Sequence, residues 1–188
     1  MSAIRELAYA KVVGGNGGGG GNLPKNYVEL DFSSFGGSIN TFNGYQTNSS
    51  TQIMDMRQFS KRIVLSNVYE LSASAFQGCP YLESVEIPEV TSIGSSAFVG
   101  CSSLKSISLP KVTSIGSTAF AATGLEYVYI GPDCTTINPG AFGNVPVATC
   151  KVECGFAEGA VSGFPSSAGW NGNLADLDIT YNVPIPKQ

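Results

Sequence analysis

The chain contains no histidine. That removes the commonest general base, the Ser-His pair and the usual nitrogen ligand of zinc. Charge is sparse as well, at 13% of residues against about a quarter in an average domain. The ten Lys and Arg are scattered along a chain of net charge −4. No basic stripe follows a phosphate backbone, so nucleic acid is not expected as a partner. No apolar run approaches the roughly 18 residues of a membrane span, and no CxxC offers a metal knuckle.

What the chain has is repetition. Its 188 residues, 43% of them hydrophobic, suit one domain with short extensions. TSIGSSAF at 91–98 returns as TSIGSTAF at 113–120, and Phe76, Phe98, Phe120 and Phe142 each follow an Ala and stand 22 apart. A fixed period of this length marks a solenoid. Apolar residues recur at Leu82, Val85 and Ile87, at Leu104, Ile107 and Leu109, and at Leu125, Val128 and Ile130, predicting one short strand per coil. A second apolar pair follows at Val90 and Ile93, Val112 and Ile115, and Cys134 and Ile137, before a turn that carries Ala and Phe inward. Pro88 and Pro110 sit just past the strands, where a missing N–H costs no ladder bond. A unit of this size cannot bury its own apolar face, so coils must stack at about 4.8 Å. The third coil drops one residue between Phe120 and Leu125 and regains it before Phe142.

The pattern AFxGCxxLxxVxIPxVTSIGxxAF, with Gly78, Cys79, Gly100 and Cys101 in register, resembles the BspA-type leucine-rich repeats of bacterial surface proteins and of gut bacteria and their phages. The resemblance covers about half the chain. It implies a right-handed solenoid with one strand per coil and binding or adhesive roles rather than catalysis. The tail CGFAEGAVSGFPSSAGWNGN is similar to segments that follow such arrays in phage-encoded repeat proteins. The expected fold is therefore all-β: a right-handed leucine-rich-repeat solenoid of about four to five 22-residue coils with atypical N- and C-terminal caps.

The cysteines fall into packing columns. Cys79 and Cys101 share one, Cys134 takes that of Val90 and Val112, and Cys150 takes that of Val85 and Ile107. Free cysteine behaves as a small buried hydrophobe, so free thiols are expected, with no metal and no cofactor. GxGxxG at Gly15, Gly17 and Gly20 is a by-product of a glycine run, because no GK[ST] follows. Acidic residues such as Glu83 and Glu86 fall on the outer strand surface, where solvation is the ordinary fate of a charge. No enzyme is expected.

The outward face of the strands is the candidate binding surface. The 22-residue spacing places Val64, Glu86, Ser108, Tyr129 and Lys151 in one outward column, and Arg62, Ser84, Ser106, Tyr127 and Thr149 in its neighbour. Tyr127 and Tyr129 thus project together as exposed aromatics, with Glu86 and Lys151 as charged neighbours. Such a surface suits a host glycan or protein, or merely shields the strand edge.

Four regions are expected: an anchoring arm with a polyglycine tether at 1–22, a capping region at 23–57, the solenoid at 58–154 and a C-terminal cap at 155–188. The arm's Ile4, Leu7, Tyr9, Val12 and Val13 are anchoring candidates, on a segment that reads equally as helix or strand. A strand is expected at 27–32. Trp170, the one tryptophan, is expected to cap the last coil, and alternation at Leu177, Ile179 and Tyr181 predicts a final strand. Arg5, Glu6 and Lys11 break any signal-peptide core, so an export signal has been removed or the protein stays in the cytoplasm until assembly. Met1 favours the second. A short head joined by glycines to a rigid module suggests a bacteriophage virion component, a head or tail fibre or decoration subunit. Its arm would engage other virion proteins and glycines packed between subunits would give a homo-oligomer such as a trimer. The alternative is a fragment of a bacterial cell-surface adhesin.

Overall fold

A residue that recurs every 22 positions meets its own kind one coil away, and parallel backbone pairing makes that meeting regular. The computed structural model describes residues 9–14, 26–31, 39–42, 60–66 and 68–186. Ile4, Leu7 and the glycine run 15–21 lie outside the described residues. Three strands precede the repeats: β1 (Tyr9–Gly14), β2 (Asn26–Asp31) and β3 (Ile39–Phe42). Each repeat then supplies two: β4 (Ser60–Val64) with β5 (Val68–Leu71), and β6 (Ser84–Glu86) with β7 (Ser92–Ile93). The next two coils give β8 (Ser106–Leu109) with β9 (Ser114–Ile115), and β10 (Tyr127–Ile130) with β11 (Thr136–Ile137). β12 (Lys151–Cys154) and β13 (Asp178–Thr180) end the described series.

The coil is an all-β solenoid with three hydrogen-bonded sides. The longer strands form the first side, in ladders ordered β1-β2-β4-β6 and β13-β12-β10-β8. The short strands form the second as one ladder, β11-β9-β7-β5-β3. β1 and β2 pair antiparallel, and the other ladders are parallel. The Ala-Phe turns make the third side. The N–H of Phe76, Phe98 and Phe120 each donates to the alanine carbonyl one coil on, Ala97, Ala119 and Ala141, at 2.7 Å. The second member of each later apolar pair, Ile93, Ile115 or Ile137, thus lies on a separate strand of a second sheet, and Val90, Val112 and Cys134 precede that strand, a distinction that apolar spacing alone leaves open.

The strands β2 and β3 pair as the strands of the repeats do. Leu30 pairs with Ile63, and Phe42 with Leu71, so β2 and β3 run parallel to the two strands of the first repeat. The strand expected at 27–32 is β2, one residue earlier. Within the ambiguous arm segment the described residues, from Tyr9 on, form a strand, β1, with Tyr9 opposite Asp31 and Val13 opposite Tyr27.

The interior is built from columns. On β8, Ser106 and Ser108 point out while Ile107 and Leu109 are buried, the period-two pattern of a half-buried strand. Phe76, Phe98, Phe120 and Phe142 are all buried and stack with ring centroids 5.2, 5.2 and 5.4 Å apart. Trp170 lies on Phe142 at 4.6 Å and 3° interplanar angle, so it extends the column by one ring. Its buried Nε1 has no hydrogen-bond partner among the described residues. The indole therefore serves by its stacking area, not by its N–H.

The glycine of TSIG has a steric cause. A Cβ on Gly94 would lie 2.4 Å from the Ala73 nitrogen, and one on Gly116 would lie 2.5 Å from that of Ser95. The coils approach too closely there for any side chain. The Ala-Phe turn is bracketed by left-handed backbone: Ser74, Ser96, Thr118 and Gly140 two residues before each Phe, and Gly78, Gly100, Ala122 and Asn144 two residues after. This explains why the glycine of AFxG is only partly kept, since Asn tolerates that conformation and Ala strains it.

Candidate outward binding face

The outward side chains of the long strands are set by parallel register. Arg62 pairs with Ser84, Val64 with Glu86, Ser106 with Tyr127, Ser108 with Tyr129, Tyr127 with Lys151 and Tyr129 with Glu153. The last of these departs from the 22-residue reading. The corner from Phe142 to Val152 is two residues longer than that from Phe120 to Val128. Lys151 therefore stands beside Tyr127, in the place expected of Thr149, and Glu153 stands beside Tyr129. The same shift puts Val152, not Cys150, in the column of Val85, Ile107 and Val128, while Cys154 takes that of Leu109 and Ile130. The extra corner is absorbed by pairing with the chain around Asn171: Val147 N–H donates to the Asn171 carbonyl at 3.1 Å, and Asn171 N–H to that of Val145 at 2.8 Å.

The shift builds a cluster that sequence spacing misses. The Tyr127 hydroxyl donates to Glu153 Oε2 at 2.7 Å, and Lys151 Nζ donates to Glu153 Oε1 at 2.6 Å. One carboxylate thus joins an aromatic and a cation. Desolvation first, and then the bond to Glu153, push the Tyr127 phenol up to about 12. The hydrogen bonds from Lys151 and Tyr127 hold the Glu153 carboxyl below its ordinary range, and the same pairing raises the Lys151 ammonium. Only the length of the corner before Val152 signals Glu153 in the sequence.

Glu86 lies at the far end of the face, where it accepts from Arg62 at 2.5 Å. Between it and the tyrosine cluster lie Ser84, Ser106 and Ser108, a lane of small side chains. Further ion pairs tie coil to coil, Lys61 with Glu83, Lys105 with Glu126 and Lys111 with Glu89. They are exposed, so each adds at most about 1 kcal/mol and serves mainly register.

Two expectations about exposure are corrected. Tyr129 is 0% exposed, although its backbone position faces outward. Its hydroxyl donates to the Val183 carbonyl at 3.4 Å, which places the C-terminal segment over the face. Val64, at the head of the same column, is buried as well. Tyr127 alone of the pair keeps solvent contact. Two exposed aromatics not singled out in the sequence are Tyr69 on β5 and Tyr81 in a corner. Tyr9, Val12 and Val13 fall on β1, at the end of its ladder.

None of the five cysteines forms a disulfide and all are buried, with Cys79 and Cys101 in their shared column. Burial pushes the Cys134 thiol up to about 11 and those of Cys150 and Cys154 to about 12. Such thiols are packing groups and poor nucleophiles. Among the described residues no group of three acidic or cysteine side chains is placed to hold a metal, and no helix is long and apolar enough to cross a membrane.

Comparison with known proteins follows the repeat. A family model described as BspA type leucine rich repeat region (6 copies) matches residues 53–148. No curated protein matches the chain. A solved leucine-rich repeat protein from Bacteroides ovatus ATCC 8483 is similar, at 26% identity and a TM-score of 0.46. The similarity covers 67% of this chain and 36% of that one, so the present chain spans about a third of its length. The expected virion component, with its phage partners and virion location, is corrected to the coarser reading that the family match supports, a BspA-type repeat protein. The architecture is that of non-catalytic binding and structural proteins. With its repeat matched from 53 to 148, this chain belongs to the BspA-type leucine-rich repeat family.

Proposed function

We propose that the chain is a non-enzymatic binding module of a bacterial cell-surface adhesin, and that it engages a protein partner through the outward face of its long strands. The observation that carries this is the Tyr127–Glu153–Lys151 cluster beside the serine lane, with the Arg62–Glu86 pair beyond it. An aromatic fixed by a hydrogen bond loses little rotamer freedom on binding, and a flat lane of small residues lets a partner approach closely. The Arg62–Glu86 and Lys151–Glu153 pairs place fixed charges of both signs at the two ends, which orients a partner. Support for a right-handed winding with atypical end caps comes from the family, and β1, as an end strand, offers an edge to which a strand of a second copy can add.

The test is binding of the purified chain to immobilised extracellular-matrix proteins and to glycans. Tyr127→Ala together with Lys151→Ala should weaken protein binding by about tenfold or more, as for a hot spot, with the melting temperature little changed. Retained affinity in the double variant would move the interface off this face. Binding confined to glycans would replace the protein partner by a sugar.

A further inference from the structure

The outward face is not bare, and what lies on it is the segment that follows β13. After β13 the backbone turns at Asn182, which holds φ +59, and doubles back from the last strand toward earlier ones. Asn182 N–H donates to the Phe156 carbonyl at 3.1 Å, and Val183 N–H to that of Cys154 at 2.9 Å. The Val183 carbonyl receives the Tyr129 hydroxyl at 3.4 Å. Ile185 and Pro186 then reach β6 and β8, where with Val85, Glu86, Ser108 and Pro110 they line a groove of about 480 Å³. The groove lies where the two long-strand ladders end, one at β6 and the other at β8.

The segment is Val-Pro-Ile-Pro from 183 to 186. Proline lacks an N–H, so alternate residues cannot donate to a strand, and the fixed φ keeps the chain extended. Ile185, an apolar residue, is 52% exposed. The segment is thus seated on the sheet by two backbone bonds, one tyrosine hydroxyl and apolar contact, whereas β12 is locked on both sides by ladder bonds.

We propose that residues 182–186 are a removable strap that covers the recognition face in cis, and that its release uncovers the Tyr129 ring beside Tyr127. The strap rests on the reading of this face as a binding surface only for its biological use, because its opening is a property of the chain alone. A partner that binds better to the open state shifts the equilibrium by that difference in affinity, and the strap lowers apparent affinity by the fraction of time it is closed.

The experiment uses no partner. The full chain is compared with a chain ending at Tyr181, and Tyr129 acetylation by N-acetylimidazole is followed by peptide mass spectrometry. Truncation should raise the Tyr129 rate by about tenfold or more and leave that of buried Phe-column packing, read from the melting transition, in place. A synthetic peptide of residues 182–188 added to the truncated chain should restore protection. In the full chain, the Val183 amide should exchange hydrogen faster than the Val152 amide. A truncated chain that unfolds, a Tyr129 that stays protected, no rescue by the peptide, or Val183 exchange as slow as Val152 would each overturn the strap. Any of these outcomes leaves partner binding at Tyr127 standing, and failure of partner binding leaves the strap standing.

Discussion

Ala122 holds φ +54 in a column where Gly78 and Gly100 hold +71 and +76. A Cβ in left-handed backbone costs about 1–2 kcal/mol, while glycine adds unfolded-state entropy worth roughly 0.5–1 kcal/mol. Ala122→Gly should therefore stabilise the protein by up to about 1 kcal/mol, read from denaturant midpoints, and a loss of stability would mean that the methyl group packs usefully. Tyr127 offers a second test at this scale. Its phenol is raised, so the neutral form is favoured in the folded state; the associated stability is complete below the ordinary tyrosine pKa near 10 and is lost as pH rises through about 12. In a spectrophotometric titration, wild type minus Tyr127→Phe should show a step near 12. A step near 10 would mean that the phenol is neither desolvated nor bonded to Glu153. Glu153 has the opposite sign: its lowered carboxyl contributes above the ordinary carboxylate range, and that contribution is lost as pH falls through the lowered value.

At the scale of the element, the Phe column is the unit that joins coils. Phe98 is 0% exposed and sandwiched between Phe76 and Phe120 at 5.2 Å on each side. Phe98→Ala should open a mid-array cavity and cost about 3–5 kcal/mol, visible as a large fall in melting temperature. An unchanged melting point would show that neighbouring rings close the gap. This column was legible from sequence because Phe recurs at a fixed interval after Ala. Trp170 was legible only as a cap, since nothing in GWNG announces that its ring continues the stack on Phe142. The short strands are a similar case. Ile93 is as apolar as Val85, yet only backbone pairing separates its sheet from that of Val85.

For the whole molecule, cooperativity follows from stacking, because each coil is completed by its neighbours. The thiols report on it. All five cysteines are buried in the folded chain, so a thiol reagent near pH 8 should find none reactive before unfolding and all five after it. Fewer than five in the unfolded chain would reveal a disulfide; early reaction of Cys150 or Cys154 alone would show that the C-terminal coil opens independently. The candidate site also belongs to this scale. Its parts come from residues 62–86, 106–108, 127–129, 151–153 and the end of the chain, and no local stretch contains it.

Sequence alone determined the period, and with it the solenoid, the inward columns and the burial of four of the five cysteines. Those features rest on repetition and composition, which do not depend on how corners are shaped. Tertiary structure decided the make-up of the candidate site. A corner two residues longer before β12 moved Lys151 beside Tyr127 and brought Glu153 between them, and a proline-spaced segment folded back to bury Tyr129. Both turn on where backbone goes between repeats, and side-chain periodicity carries no information there.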